Sequence, residues 1–167
     1  MTDLESFLAE RERTRKEFAR SERLVKEYKK NMPDIAPIWD TTPESISFTD
    51  ICTSITSSGV RIYSCKIDEL WAGLNDPAIF EAGTLWGKLH DPRKIAGVIE
   101  AWSKGKALSP IFLLKHEVLE KWLVADGRHR LTVSRASRAS EVMFMVESAN
   151  ATWVSRTFPS AVCITQF

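Results

Sequence analysis

Lys121-Trp122-Leu123-Val124-Ala125-Asp126-Gly127-Arg128-His129-Arg130-Leu131 is the stretch on which the fold turns. Its first five residues are mostly apolar and partly β-branched, which predicts a short buried strand. Gly127 follows where the chain must turn, because glycine takes positive φ and lets a ligand approach the backbone without a Cβ between. A helical pattern begins at once with Arg128. The first turn of a helix carries unpaired N–H groups and the positive end of the dipole, which favour an anion. Arg128, His129 and Arg130 put cations at that end, against the dipole. A bound phosphate would resolve the conflict.

Further elements follow on either side. Downstream, Val142 to Val146 predicts a strand, and the tail (Trp153, Phe158, Val162, Ile164) a short helix and a strand. Upstream, Leu108 to Leu114 and Glu117 to Ala125 read as strands, with Pro110 near the start of the first and a turn at Glu117-Val118-Leu119 as an alternative. Asp91-Pro92 opens a helix with an acidic cap and a proline in the first turn; Ile95, Val98, Ile99 and Trp102 form its buried face and Gly105 ends it. Residues 68–90 read as an irregular, functional loop. Val60 to Ile67 predicts a strand with Val60, Ile62 and Ser64 on one face. Ser47-Phe48-Thr49-Asp50 has the form of a capping box, followed at helical spacing by Ile51, Cys52 and Ile55. Pro33, Pro37 and Pro43 stiffen a connection over 31–45, and residues 3 to about 30 form a charged helix with a narrow stripe of Leu4, Phe7, Phe18, Val25 and Tyr28. The expected division is a helical extension and linker over 1–45 and an α/β domain over 46–167.

Composition excludes several classes. A net charge of +1 leaves no global attraction for nucleic acid, and the first helix is nearly balanced, with nine basic residues against seven acidic. No apolar stretch approaches a membrane span, so no membrane insertion is expected. Cys52, Cys65 and Cys163 form no CxxC pair or disulfide framework, which predicts a reducing, cytoplasmic setting. His90, His116 and His129 lack zinc-ligand spacing.

With these residues in view, Val60 to Val146 resembles the ParB/sulfiredoxin superfamily. Three ordered pieces carry the match: Asp91-Pro92-Arg93-Lys94-Ile95 leading through Gly105 to Pro110-Ile111-Phe112-Leu113; the strand ending Val124-Ala125-Asp126; and Gly127-Arg128-His129-Arg130-Leu131. The last is similar both to the Gly-Cys-His-Arg motif of sulfiredoxins and to the arginine-rich box of ParB proteins. The resemblance implies a small mixed α/β (α+β) sheet with packed helices that binds nucleotide phosphates at this helix N-terminus. It implies a phosphate contact for Lys94 and a grip on the nucleotide by His129 and Arg130. Gly97 and Ala101 stand where sulfiredoxins carry hydroxyls. Arg128 replaces the catalytic cysteine, so sulfinic acid repair is excluded, and about 20 residues after Val146 leave no room for the helix-turn-helix domain of partition proteins. Small stand-alone members remain, including nucleotide hydrolases, nuclease-like proteins and plasmid fertility-inhibition factors.

The expected site then has Gly127, His129, Arg130 and Lys94 holding the phosphates of ATP or another nucleoside triphosphate. Arg128 would stabilise transition-state charge, and Asp126 would position Mg2+ or water. Each has a plainer alternative. The three cations could pair with carboxylates such as Asp126 or Glu141, and Asp126 could simply form the turn. Asp91 reads as a helix cap rather than a catalyst, and Arg93 as pointing elsewhere. Glu69 and Glu81 could approach from the loop, Trp71 and Trp86 could stack on a base, and Ser134, Arg135 and Arg138 could widen a phosphate track. The functional expectation is an ATP-binding, Mg2+-dependent hydrolase, with DNA cleavage at the same site as a further activity. The alternative is a non-catalytic nucleotide-sensing adaptor that docks on a protein or DNA-transfer machine through the first helix, which could also pair with itself. A sequence-specific DNA binder is the third and weakest.

Overall fold

A computed structural model describes residues 3–48, 52, 54 and 57–167. The capping box at Ser47–Asp50 and the helical spacing after it run into residues outside that set. Alternating and continuous apolar runs give five strands: β1 (Val60–Lys66), β2 (Ile111–Lys115), β3 (Trp122–Asp126), β4 (Glu141–Glu147) and β5 (Val162–Gln166). They form one mixed sheet in the order β3-β2-β4-β1-β5, with β2 and β4 parallel and the other neighbours antiparallel. The described helices are α1 (Asp3–Lys30), α2 (Ile67–Gly73), α3 (Pro92–Ser103), α4 (Arg128–Ala136) and α5 (Ala151–Thr157). The protein is a mixed α/β fold with a long N-terminal helix.

Both sheet faces are covered, so the central strands are apolar on both sides. On one face Tyr63, Cys65, Ile111, Leu113, Trp122, Val142, Phe144 and Val146 pack with Leu70, Leu131, Val154 and Phe158. On the other, Val60, Ile62, Phe112 and Met145 form a smaller cluster. A third cluster lies between helices: Val25 and Tyr28 of α1 meet Ile95, Val98, Ile99 and Trp102 of α3 and Val133 of α4. The last turns of α1 thus share a core with α3, and Arg20 adds an ion pair to Glu100.

Three expectations change. The strand over 121–125 is an edge strand rather than a buried one: Trp122 is buried, but Leu123 and Ala125 are exposed. The chain before it bends at 117–120, with His116 Nδ1 accepting from Val118 and Leu119 N–H, so the turn alternative holds. The stretch 68–90 is not wholly irregular, since α2 occupies its start, anchored by buried Ile67, Leu70 and Gly73.

Candidate functional site

The edge position of β3 places Asp126 at a sheet corner, and the chain turns there into α4. Gly127 has φ +91°, and a Cβ on it would lie 2.9 Å from Arg130 Nη2 and 3.1 Å from Ile111 Cα. Only glycine fits both the torsion and the close packing. Opposite, Asp91 caps α3 by accepting from Arg93 N–H at 2.9 Å, as its sequence position predicts. That start presents Lys94 and Gly97 outward, and a Cβ on Gly97 would meet only open space. Between α3 and the Asp126–Arg130 turn lies a cleft of about 560 Å³, walled by Val98, Leu108 and Val124 and rimmed by Lys94, Asp126, Gly127, Arg128, His129 and Arg130. The structure therefore brings Lys94, Asp126, Gly127, Arg128, His129 and Arg130 to one concavity.

Its cations fall into two kinds. Arg130 donates to Asp126 Oδ2 at 2.9 Å and to the Pro110 carbonyl at 3.4 Å, so it has a resident carboxylate. Arg128 and Lys94 are exposed and form no ion pair among the described residues. The plainer alternative thus describes Arg130, whereas Arg128 and Lys94 have no carboxylate within ion-pair distance among the described residues.

Other expected contributors lie elsewhere. Ser134 is fully buried and donates to the Arg130 carbonyl. Arg135 pairs with Asp68 at 2.7 Å and covers the Trp71 ring. With Arg138 it lines a separate cavity beside Lys66, Asp68, Glu69 and Glu141. Arg93 turns to Asp91 and to the Phe18 ring. Glu69 accepts from the Ser160 hydroxyl and N–H, and these bonds hold its carboxyl below the usual range. Trp71 donates to the Pro77 carbonyl, and Trp86 packs on the helical cluster under Lys29. Neither indole lines the cleft, whose apolar wall is aliphatic. Burial pushes the Cys65 thiol up to about 12, which removes it as a nucleophile.

His129 is the most perturbed group of the site. Burial, then the positive charge of Arg128, then His90 and Lys94 push it down to about 4, with Asp91 opposing. It is neutral at pH 7 and adds no charge to the cleft. Against it, edge to face with centroids 5.6 Å apart, lies His90, which is 4% exposed. Burial lowers the His90 pKa as well. No neighbour in the sequence links His90 to the site: it precedes a helix cap 39 positions from His129, and the fold joins them through contacts to Thr132 and the His129 ring.

Magnesium is ordinarily held by one or two carboxylates together with substrate phosphates. Asp126 offers one carboxylate at the cleft, shared with Arg130. Among the described residues no three His, Cys, Asp or Glu side chains gather into a ready-made metal site. A lone carboxylate of this kind fits a magnesium ion whose remaining ligands are phosphate oxygens and water. Comparison with family models, curated proteins and solved structures gives no match to this chain.

Proposed function

We propose that the protein binds a nucleoside triphosphate, ATP foremost, in this cleft and hydrolyses it with magnesium. The observation that carries this reading is the pair of unpaired cations, Lys94 and Arg128, facing an open cleft at the N-terminus of α4. Cations placed against a helix dipole are stabilised by an anion between them. Lys94, Arg128 and the first N–H groups of α4 hold the phosphates, and Gly127 lets them approach the backbone. Arg128 offsets charge that builds on the transferred phosphoryl group. Arg130 keeps Asp126 oriented at the edge of the cleft. Magnesium, when bound with the nucleotide at Asp126, supplies charge neutralisation of the phosphoryl oxygens.

Thermal unfolding with a panel of nucleotides, with and without magnesium, tests the binding. A ligand at about 100 times its Kd adds about 2.7 kcal/mol of stability. ATP is expected to raise the Tm, and Arg128→Ala with Lys94→Ala to abolish the shift. Phosphate release should require magnesium and fall at least tenfold, by about 1.4 kcal/mol, in Arg128→Ala. No shift with any nucleotide overturns the reading. Nicking of a DNA duplex that is lost in the same variants would extend the activity to phosphodiesters.

A second reading, the nucleotide-sensing adaptor, draws on α1. Leu4, Phe7, Leu8 and Phe18 are more than half exposed on the part of the helix that precedes its packed turns. Saturable ATP binding without phosphate release favours it.

A further inference from the structure

His90 and His129 each bury a ring nitrogen that has no hydrogen-bond partner among the described residues: Nδ1 of His90 and Nε2 of His129. A buried polar atom left unpaired loses its hydration with nothing in return, so two of them side by side demand an account.

The surroundings of His90 fix where its proton sits. Nε2 lies 3.0 Å from the Ile79 carbonyl and 3.3 Å from the hydroxyls of Thr84 and Thr132. The single hydrogen of the Thr84 hydroxyl is already taken by the Ile79 or Glu81 carbonyl, and that of Thr132 by the Arg128 carbonyl. All three neighbours can only accept, so Nε2 carries the hydrogen. Nδ1 of the neutral ring is then a bare acceptor, and burial together with the positive charge of Arg128 disfavours a second proton on that ring.

His129 supplies what that acceptor lacks. A direct N–H···N bond between two imidazoles separates the ring centres by about 5 Å. The observed 5.6 Å lies within a small ring adjustment of it. We propose that His90 is a positioning residue: its Nδ1 takes the Nε2–H of His129, which leaves His129 Nδ1 as a bare lone pair towards the cleft. The chain of donors runs from His129 through His90 to the Ile79 carbonyl and is tied to α4 by Thr132.

The inference deepens the nucleotide reading of the cleft and rests on it for its functional consequence. Lys94 and Arg128 select an anion, whereas His129 accepts rather than donates. The preferred ligand therefore carries a hydroxyl beside its phosphates, as a ribonucleotide does, or brings a water into that place. Around the ring, Arg128 of α4 and Lys94 of α3 oppose protonation and Asp91 at the start of α3 favours it; Arg128 also acts on His90.

Long-range proton–nitrogen NMR correlation of the imidazoles tests the arrangement in the ligand-free, wild-type chain at pH 7.5. Both rings are expected as the Nε2–H tautomer, with His129 Nδ1 of pyridine type. A His129 protonated on Nδ1 overturns the proposal. In His90→Phe, His129 should lose its single tautomer, and His90→Gln, whose amide can donate to Ile79 and accept from His129, should restore it. An unchanged His129 tautomer in His90→Phe also overturns it. Phosphate release is expected to fall about tenfold in His90→Phe with KM held within about threefold, and to recover in His90→Gln. ATP titration of the wild-type chain is the separate arm. Absence of binding there defeats the nucleotide reading while leaving the tautomer result to decide the positioning role.

Discussion

Asp126 and Arg130 stand four residues apart across the Gly127 turn, and their bond ties the end of β3 to the first turn of α4. Their side chains are only 24% and 15% exposed, so breaking the pair leaves a carboxylate poorly solvated. Arg130→Ala is expected to lower stability by about 1–3 kcal/mol in urea unfolding. Arg128→Ala, which breaks no pair, should stay within about 0.5 kcal/mol of the wild type. The contrast separates the arginine paired within the fold from the one proposed to hold the phosphates. The histidines give a pH signature. His129 binds a proton less readily folded than unfolded, so below the ordinary value of 6.5 the unfolded chain takes up more protons. Its contribution to stability is complete above pH 6.5 and is lost as pH falls towards about 4, and His90 acts in the same direction. Urea midpoints measured across this window should fall less steeply in His129→Gln than in the wild type. The i,i+4 spacing of Asp126 and Arg130 was visible in the sequence, yet spacing alone could not say whether the arginine faced a carboxylate or a ligand. His90 could not be placed at the cleft from sequence, because its contacts with His129 and Thr132 join residues far apart in the chain.

Among the elements, α4 ends in a conformation that its residue suits poorly. Arg138 has φ +58°, while its N–H bonds to the Arg135 carbonyl and that of Ala139 to the Ser134 carbonyl. This pair of bonds is a Schellman motif, in which the left-handed position favours glycine. Arg138→Gly is expected to stabilise the fold by about 0.5–1 kcal/mol in thermal or urea unfolding. The end of α2 behaves oppositely: a Cβ on Gly73 would lie 2.3 Å from the ring of Phe158, itself fully buried. Gly73→Ala should cost about 1–3 kcal/mol, measured the same way. Most elements were legible from period and punctuation. Asp91-Pro92 and Gly105 bracketed α3, and β1 and β4 were clear as apolar runs. α2 was not, because its N-cap Lys66 makes no side-chain cap bond and the helix is held by Ile67 and Leu70 in the core. β3 was read as buried because an apolar run does not say whether its second face is covered.

For the molecule as a whole, α1 is two structures in one helix. Its last turns contribute Val25 and Tyr28 to a core cluster, whereas residues 3–20 are exposed throughout. Removing the chain up to Glu17 should therefore change unfolding stability by less than about 1 kcal/mol, whereas Val25→Ala should cost more than that. If the adaptor reading holds, the truncation abolishes partner capture and spares nucleotide binding. The helix was plain in the sequence, but the transition from exposed to packed was not, since the same stripe of residues runs through both parts.

The strand order has one more consequence, for how the sheet breathes. β4 and β1 have strands on both sides, while β3 has β2 alone as a neighbouring strand, with a register slip between Phe112 and Leu113 and a single bridge from Leu74 to Trp122 on its outer side. Amide deuteration should accordingly reach β3 well before β4, by way of openings that leave the centre of the domain intact. The corner that carries Asp126 and Gly127 is thus expected to loosen locally, at a cost far below that of unfolding the whole molecule.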